Sequence, residues 1–235
     1  MKRFYREVSV EPHAGGWRVA LDGRAIKTAL GAPQIVPIQA LADALAAEWE
    51  RQGETIDPAD FVLRDLADYA IDVIAPDRAA AIAGILAFGE TDTLCYRADP
   101  DEPLYRRQHE VWEPLVTALE AREGVRLDRI SGVIHRAQPP ATLAALRARL
   151  ERTDDFTLAG VQAMASLAAS LCIALAALQD DADAGALWNA ANLEEDWQAE
   201  LWGHDEEAAT RRDQRRARFL TASTFTTLVG RSDVS

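Results

Sequence analysis

The sequence predicts an α+β fold: a small β-rich domain over residues 1–56 followed by a larger helical domain over residues 57–235. Strand-like alternation around an Asp-Gly turn is confined to the first forty residues. From Asp57-Pro58 onward apolar residues recur at helical spacing almost without interruption. Strands and helices segregated along the chain in this way are the pattern of α+β architecture. At 235 residues the chain is long enough for one substantial core, or for a small domain beside a larger one.

In the first segment Val8 and Val10 alternate with polar neighbours, Gly15-Gly16 marks a turn, and Trp17-Arg-Val-Ala-Leu21 alternates again. Asp22-Gly23 supplies the positive φ values of a two-residue hairpin turn, with Arg24–Thr28 as the returning strand. A further short strand is expected over Gln34–Ile38. A helix then begins near Pro37 or Gln39, buries Leu41, Ala42, Leu45 and Trp49 on one face, and stops at Gly53. Leu63, Leu66, Ala70, Val73 and Ile74 mark the next helix, which Pro76 ends; Ile82, Ile85, Leu86 and Phe88 mark the one after it. Leu104–Ala121 reads as a helix with Trp112 and Leu115 buried, and Arg126–His135 as a strand or extended loop. Pro139-Pro140 opens a helix through Leu150. Three more helices follow: an uncharged one over Phe156–Gln179, an acidic Trp-rich one over Leu187–Gly203, and an Arg-rich one from Glu206 to about Leu220.

Composition narrows the function classes. The net charge of −13 repels phosphate backbones and anionic lipid headgroups, which argues against nucleic acid or a membrane surface as partner. Phe156–Gln179 has the length of a bilayer span, but eight alanines with Thr157, Gln162, Ser166 and Ser170 make it weakly apolar, and aspartates without a basic anchor flank it. It reads as a central helix surrounded by other helices. Cys95 and Cys172 sit in apolar surroundings and read as reduced core thiols. The N-terminus runs directly into a strand pattern with no secretory signal or organelle presequence, so a cytoplasmic location is expected.

Catalytic signatures are sparse. His13, His109, His135 and His204 share no ligand spacing, and the sequence has no nucleophile elbow, phosphate loop or dinucleotide fingerprint. No metal or cofactor is expected. Paired carboxylates are the one acid–base resource: Glu90 with Asp92, and Glu194, Glu195 and Asp196. An acid–base enzyme using Glu194 or Glu195 with Asp92 is therefore one function class. For Thr91-Asp92 the competing role is a helix cap.

The other function class comes from charge placement. Between Arg152 and Arg211 there are twelve Asp or Glu residues and no Lys or Arg, with Trp188, Trp197 and Trp202 among them. Charge of one sign steers a complementary partner, and aromatic side chains anchor interfaces, so this stretch suits a protein that is basic where it is touched. On a wheel of about 100° per residue, Leu187, Ala190, Leu193, Trp197 and Leu201 form an apolar stripe. Glu194 falls inside it, Gln198 lies one turn further along, and Glu195 lies at the border between Trp188 and Trp202. A carboxylate there either pairs with an arginine of the last helix or forms a polar hot spot for a partner. The site set drawn from this reading is Glu194, Glu195, Trp188, Gln198 and Trp202. A generic acidic adaptor is the bland form of the same reading.

Several segments, in order along the chain, resemble the assembly chaperones of F-type ATP synthase that bind the alpha subunit of the catalytic head. They are Arg3-Phe-Tyr-Arg-Glu-Val8, Gly16-Trp through Lys27-Thr28, Leu41-Ala through Glu48-Trp49 with Gln52, and Ala70-Ile-Asp72. Thr91-Asp-Thr-Leu-Cys-Tyr-Arg97, Gln108 with Trp112-Glu-Pro114, and Glu195-Asp-Trp-Gln198 with Trp202-Gly203 complete the set. The resemblance implies a non-enzymatic chaperone whose partner is the ATP synthase alpha subunit; the chain alone is expected to be monomeric. It also implies that the key acidic position is Glu195, with Glu194 as the alternative, and it adds Trp49, for which core packing is the competing role. Lys27-Thr28-Ala29 and Val62–Tyr69 depart from the family pattern.

Overall fold

Asp22 and Gly23 both take positive φ, 49° and 75°, and the expected hairpin forms around them. In the computed structural model, which describes residues 1–132, 136–203 and 206–230, strand β1 (Val8–His13) pairs antiparallel with β2 (Gly16–Leu21), and β2 with β3 (Arg24–Ala25), in the order β1-β2-β3. Helix α1 (Gln39–Glu50) packs on β1 and β2 and buries Leu41, Ala42, Leu45 and Trp49, the face its spacing required. The strand expected at Gln34–Ile38 does not form. Val36 makes a single bridge to Trp17, because Pro33 and Pro37 supply no N–H to extend a ladder. The bridge demands a glycine opposite: Gly16 has φ 146°, and a Cβ there would lie 2.2 Å from the Val36 carbonyl oxygen.

A 3₁₀ turn (Pro58–Asp60) leads into α2 (Val62–Tyr69) and a π-helical turn (Ala70–Ile74). The wider π turn shifts the phase of the apolar spacing, so Ile74 is buried while Val73 is exposed. Two carboxylates, Asp68 of α2 and Asp72 of the π turn, hold the 28–34 loop. Asp72 accepts from the Thr28 hydroxyl at 2.7 Å and the Leu30 N–H at 3.0 Å, and Asp68 accepts from the Ala29 N–H at 3.0 Å and from the Gln34 amide.

The remaining elements are α3 (Arg78–Glu90), β4 (Tyr96–Arg97), α4 (Pro103–Glu123), β5 (Ile130–Ser131), α5 (Pro140–Glu151), α6 (Asp155–Ala168), α7 (Leu171–Ala176), α8 (Ala184–Ala191), α9 (Leu193–Trp202) and α10 (Glu206–Gly230). The fold is thus α+β, with a three-stranded antiparallel sheet preceding a larger helical part. Contact density divides it into two compact units. The first is Met1–Arg78 with 154–160 and, among the described residues, 224–230; the second is Ala79–Thr153 with Val161–Ser223. In the second unit Trp112 and Val116 of α4 are buried, whereas Leu115 is only partly so. The extended segment predicted from Arg126 contributes β5, which pairs parallel with β4; its end at 133–135, with His135, lies outside the described residues. His204 also lies outside them. The last helix runs ten residues past the expected end at Leu220.

The uncharged stretch is two helices, not one. Ala169 takes φ 49°, and Ser170 caps α7 by accepting from the Ile173 N–H at 3.0 Å. Asp92 enforces the break. It is 1% exposed and accepts from the Ser170 hydroxyl at 2.7 Å, the Cys172 N–H at 2.8 Å and the Leu94 N–H at 3.1 Å. Thr93 adds its N–H and hydroxyl, both donated to the Ala169 carbonyl. Full burial pushes the Asp92 carboxyl up to about 6. Cys95 and Cys172 are free and buried, and burial pushes the Cys95 thiol up to about 12. Among the described residues no helix is long and apolar enough to cross a membrane.

Candidate functional site: the acidic helix and its cationic frame

The acidic Trp-rich stretch is also interrupted. Asp183 caps α8 by accepting from the Ala186 N–H at 2.9 Å, and Asn192 ends it with φ −105° and ψ 19°, its side-chain amide donating to the Trp188 carbonyl at 2.8 Å. A new helix, α9, starts at Leu193 with Glu194, Glu195 and Asp196 in its first turn, where the helix dipole favours negative charge. One wheel therefore does not describe 187–203. Leu187, Ala190 and Leu193 are buried as projected, but Trp197 is only partly buried and Leu201 is 58% exposed.

Each carboxylate of α9 has its own partner, contributed by α4 or α10. Glu194, half-buried, accepts from the Gln108 side-chain amide at 2.6 Å; Gln108 is itself fully buried, with its oxygen accepting from the Ala98 N–H at 2.8 Å. Burial raises the Glu194 carboxyl, and the Gln108 hydrogen bond works against that rise. Glu195 lies 3.6 Å from Arg215, each about half exposed. Asp196 meets Arg212 at 2.5 Å, yet burial still holds its carboxyl above the usual value. Glu200 takes a two-pronged contact from Arg107, at 2.6 and 2.9 Å, while that guanidinium lies over the Trp197 ring. The acid-only sequence thus becomes a helix framed by Arg107, Arg212 and Arg215. Of the two readings for a carboxylate at the stripe, Glu195 takes the arginine of the last helix; Glu194 takes an amide instead.

Trp188 is fully buried against Phe219, with Arg215 above its ring. Trp49 lies in the first unit, 8% exposed between Tyr5 and Phe61, and its carbonyl accepts from the Tyr5 hydroxyl at 2.6 Å. Its neighbour Glu48 is 2% exposed and caps α2, accepting from the Leu63 and Arg64 N–H groups at 2.8 and 2.9 Å. Gln52 accepts from the Asp57 N–H at 2.7 Å. Both Trp188 and Trp49 are core residues in this conformation.

Glu195, Gln198 and Trp202, by contrast, come together. With Ala199, Gly203 and Ala208, Ala209 and Arg212 of α10 they line an open groove of about 290 Å³. Trp202 is 78% exposed at its end. Sequence reading missed the frame around α9. Arg107 and Gln108 come from a helix more than eighty residues earlier, and only the presence of arginines in the final helix hinted at the rest. Asp92 stands apart from the α9 carboxylates in role: both its oxygens cap backbone and hydroxyl donors.

The model of the ATP12 chaperone protein family matches residues 2–120. The mitochondrial atp12 protein of Schizosaccharomyces pombe is 26% identical over 219 residues, spanning 88% of this chain and 75% of that protein. The crystal structure of Atp12 from Paracoccus denitrificans is 36% identical with a TM-score of 0.90, covering 97% of this chain and 98% of that one. The Atu1473 protein of Agrobacterium tumefaciens is 37% identical with a TM-score of 0.92, covering 96% and 85%. A family match over half the chain, joined by structural agreement over nearly all of it, leads to one conclusion: the chain belongs to the ATP12 chaperone family.

Proposed function

We propose that this chain is an assembly chaperone for ATP synthase, acting in the cytoplasm without catalysis, which binds the unassembled alpha subunit and keeps it from aggregating. The observation that carries the reading is the exposed end of α9, where Leu201 and Trp202 stand 58% and 78% exposed beside the Glu195–Gln198 groove. An unassembled subunit exposes an apolar face that its neighbours later cover, and a chaperone binding that face protects it by mass action. Trp202 supplies the anchor and Glu195 the charged rim; a half-exposed pair at 3.6 Å is weak enough to exchange Arg215 for a cation of the client. The acid–base alternative is disfavoured because Asp92 is sealed in the core as a cap.

Co-expression with the alpha and beta subunits of ATP synthase from the same organism tests the proposal. Selective co-elution and solubilisation of alpha, reversed by adding assembly partners, is the expected result. If neither subunit associates while both are soluble, the proposal is wrong.

A further inference from the structure

A second surface, in the first unit, has the opposite charge. A pocket of about 560 Å³ is lined by Phe4, Tyr5, Leu21, Trp49 and Arg64, together with Asp22 and the stretch Arg24–Lys27 that contains β3. Asp22 is the one carboxylate of this lining and is already engaged, accepting from the Arg6 and Glu7 N–H groups at 3.0 and 2.9 Å; Arg64 is paired with Asp68 at 3.6 Å, which leaves Arg24 and Lys27 as the exposed cations of the pocket. On a chain of net charge −13 this is a local inversion of sign.

The backbone of the pocket wall is also open. Among the described residues β3 is an edge strand, paired with β2 alone. Leu21 and Arg24 close the two-residue turn as the hydrogen-bonded pair, and Ile26 donates to the Val19 carbonyl at 3.0 Å. In an antiparallel ladder the intervening residue, Ala25, therefore directs its N–H and C=O away from β2. Trp49, 8% exposed and lining the same pocket, has a buried indole N–H with no hydrogen-bond partner among the described residues. Phe4, 62% exposed, adds apolar surface.

We propose that this pocket binds an extended acidic peptide segment of a partner protein, added as a strand along β3 with its carboxylates facing Arg24 and Lys27. Strand addition uses an open edge for affinity and flanking side-chain pockets for specificity, and this site has both. An acidic peptide fits better than nucleic acid because its few charges meet only the local cations, whereas a polyanion meets the field of the whole chain. The pocket shares no residue with the α9 groove, so its failure leaves the client-capture proposal untouched.

The probe is a fluorescein-labelled, end-blocked octapeptide of alternating Val and Glu, titrated by fluorescence polarisation with Val/Gln and Val/Lys peptides as controls. The Val/Glu peptide is expected to bind and to move the Ala25 amide and Trp49 indole signals in ¹⁵N–¹H spectra. Arg24→Glu with Lys27→Glu is expected to weaken it about tenfold or more through charge. Ala25→Pro, which removes the outward N–H at an exposed edge position, is expected to do the same without changing charge. Should Ala25→Pro fail to fold, the Ala25 amide shift in the unaltered protein decides. Binding unaffected by the charge reversals, equal binding of the Val/Gln peptide, or a peptide that leaves the Ala25 amide unmoved would overturn the proposal. So would displacement of the peptide by an equal concentration of a single-stranded oligonucleotide.

Discussion

Asp92→Asn isolates the energetics of the break between α6 and α7. In the folded chain the carboxyl is pushed up to about 6 by burial, against 3.8 for an unperturbed aspartate. A raised folded value means that the native state holds its proton longer than the unfolded chain. The contribution is complete below the unfolded value and is lost as pH rises through the folded one. Roughly two pH units at about 1.36 kcal/mol each give about 3 kcal/mol of stability lost between about pH 4 and about pH 6. The asparagine of the variant carries no such titration. The groups facing Asp92 are the Ser170 hydroxyl, the Leu94, Leu171 and Cys172 N–H groups and the neutral Cys95 and Cys172 thiols, so other carboxylates cancel between the two proteins. Urea unfolding followed by circular dichroism, run on both proteins from about pH 4 to about pH 7, should show their difference changing by about 3 kcal/mol in that direction. A difference that stays flat with pH would refute the argument. It would mean that three or more donors keep the carboxylate ionised and that hydrogen bonding, not desolvation, dominates.

Glu48→Ala leaves the Leu63 and Arg64 N–H groups without their acceptor in a buried site and should cost about 4 kcal/mol in urea unfolding; a loss below about 1 kcal/mol would show that α2 does not depend on this cap. The two tryptophans should separate cleanly. Trp188→Ala removes a fully buried ring and should destabilise by about 3–5 kcal/mol, whereas Trp202→Ala should stay within about 0.5 kcal/mol in the same assay while reducing alpha-subunit co-elution. Glu195→Lys breaks a half-exposed pair, so the fold should lose less than about 1 kcal/mol, and capture should weaken about tenfold by pull-down titration; unchanged capture removes Glu195 from the site. Capture by the unaltered chain should fall as salt rises, because exposed charges are screened over about 8 Å near physiological ionic strength. Binding insensitive to salt would leave the apolar end of α9 as the sole source of attraction.

How much of this was legible in the sequence depends on how local the deciding interaction is. The first hairpin was legible because Asp22-Gly23 fixes its turn within two residues. The buried face of α1 was legible because helical spacing alone sets it. The split between α6 and α7 was not, since the partners that stabilise Ala169 and Ser170 are Thr93 and Asp92, more than seventy residues away. The break at Asn192 has a local cause, an amide reaching back one turn, but asparagine also occurs inside helices and its presence does not announce the bond. At the candidate site the acidic character of α9 could be read directly. Its frame could not, because Arg107, Gln108, Arg212 and Arg215 arrive through tertiary packing. Trp188 and Trp202 looked alike in sequence for the same reason, and the helix break sent one inward and left the other outside.

Gln108 gives the acidic helix a property that α9 does not encode. With its oxygen held by the Ala98 N–H, the side chain has one orientation, and its NH₂ end always faces residue 194. Position 194 is thereby keyed to an acceptor: a carboxylate or a neutral amide oxygen fits the lock, and an ammonium group does not. The key is cut at residue 98, just after β4 and far from α9 in sequence. Anyone transplanting α9 onto another scaffold, or redesigning its surface to accept a different client, must carry the Ala98–Gln108 pair along with it; without that pair the helix arrives with its charges but without the part that sets its seat.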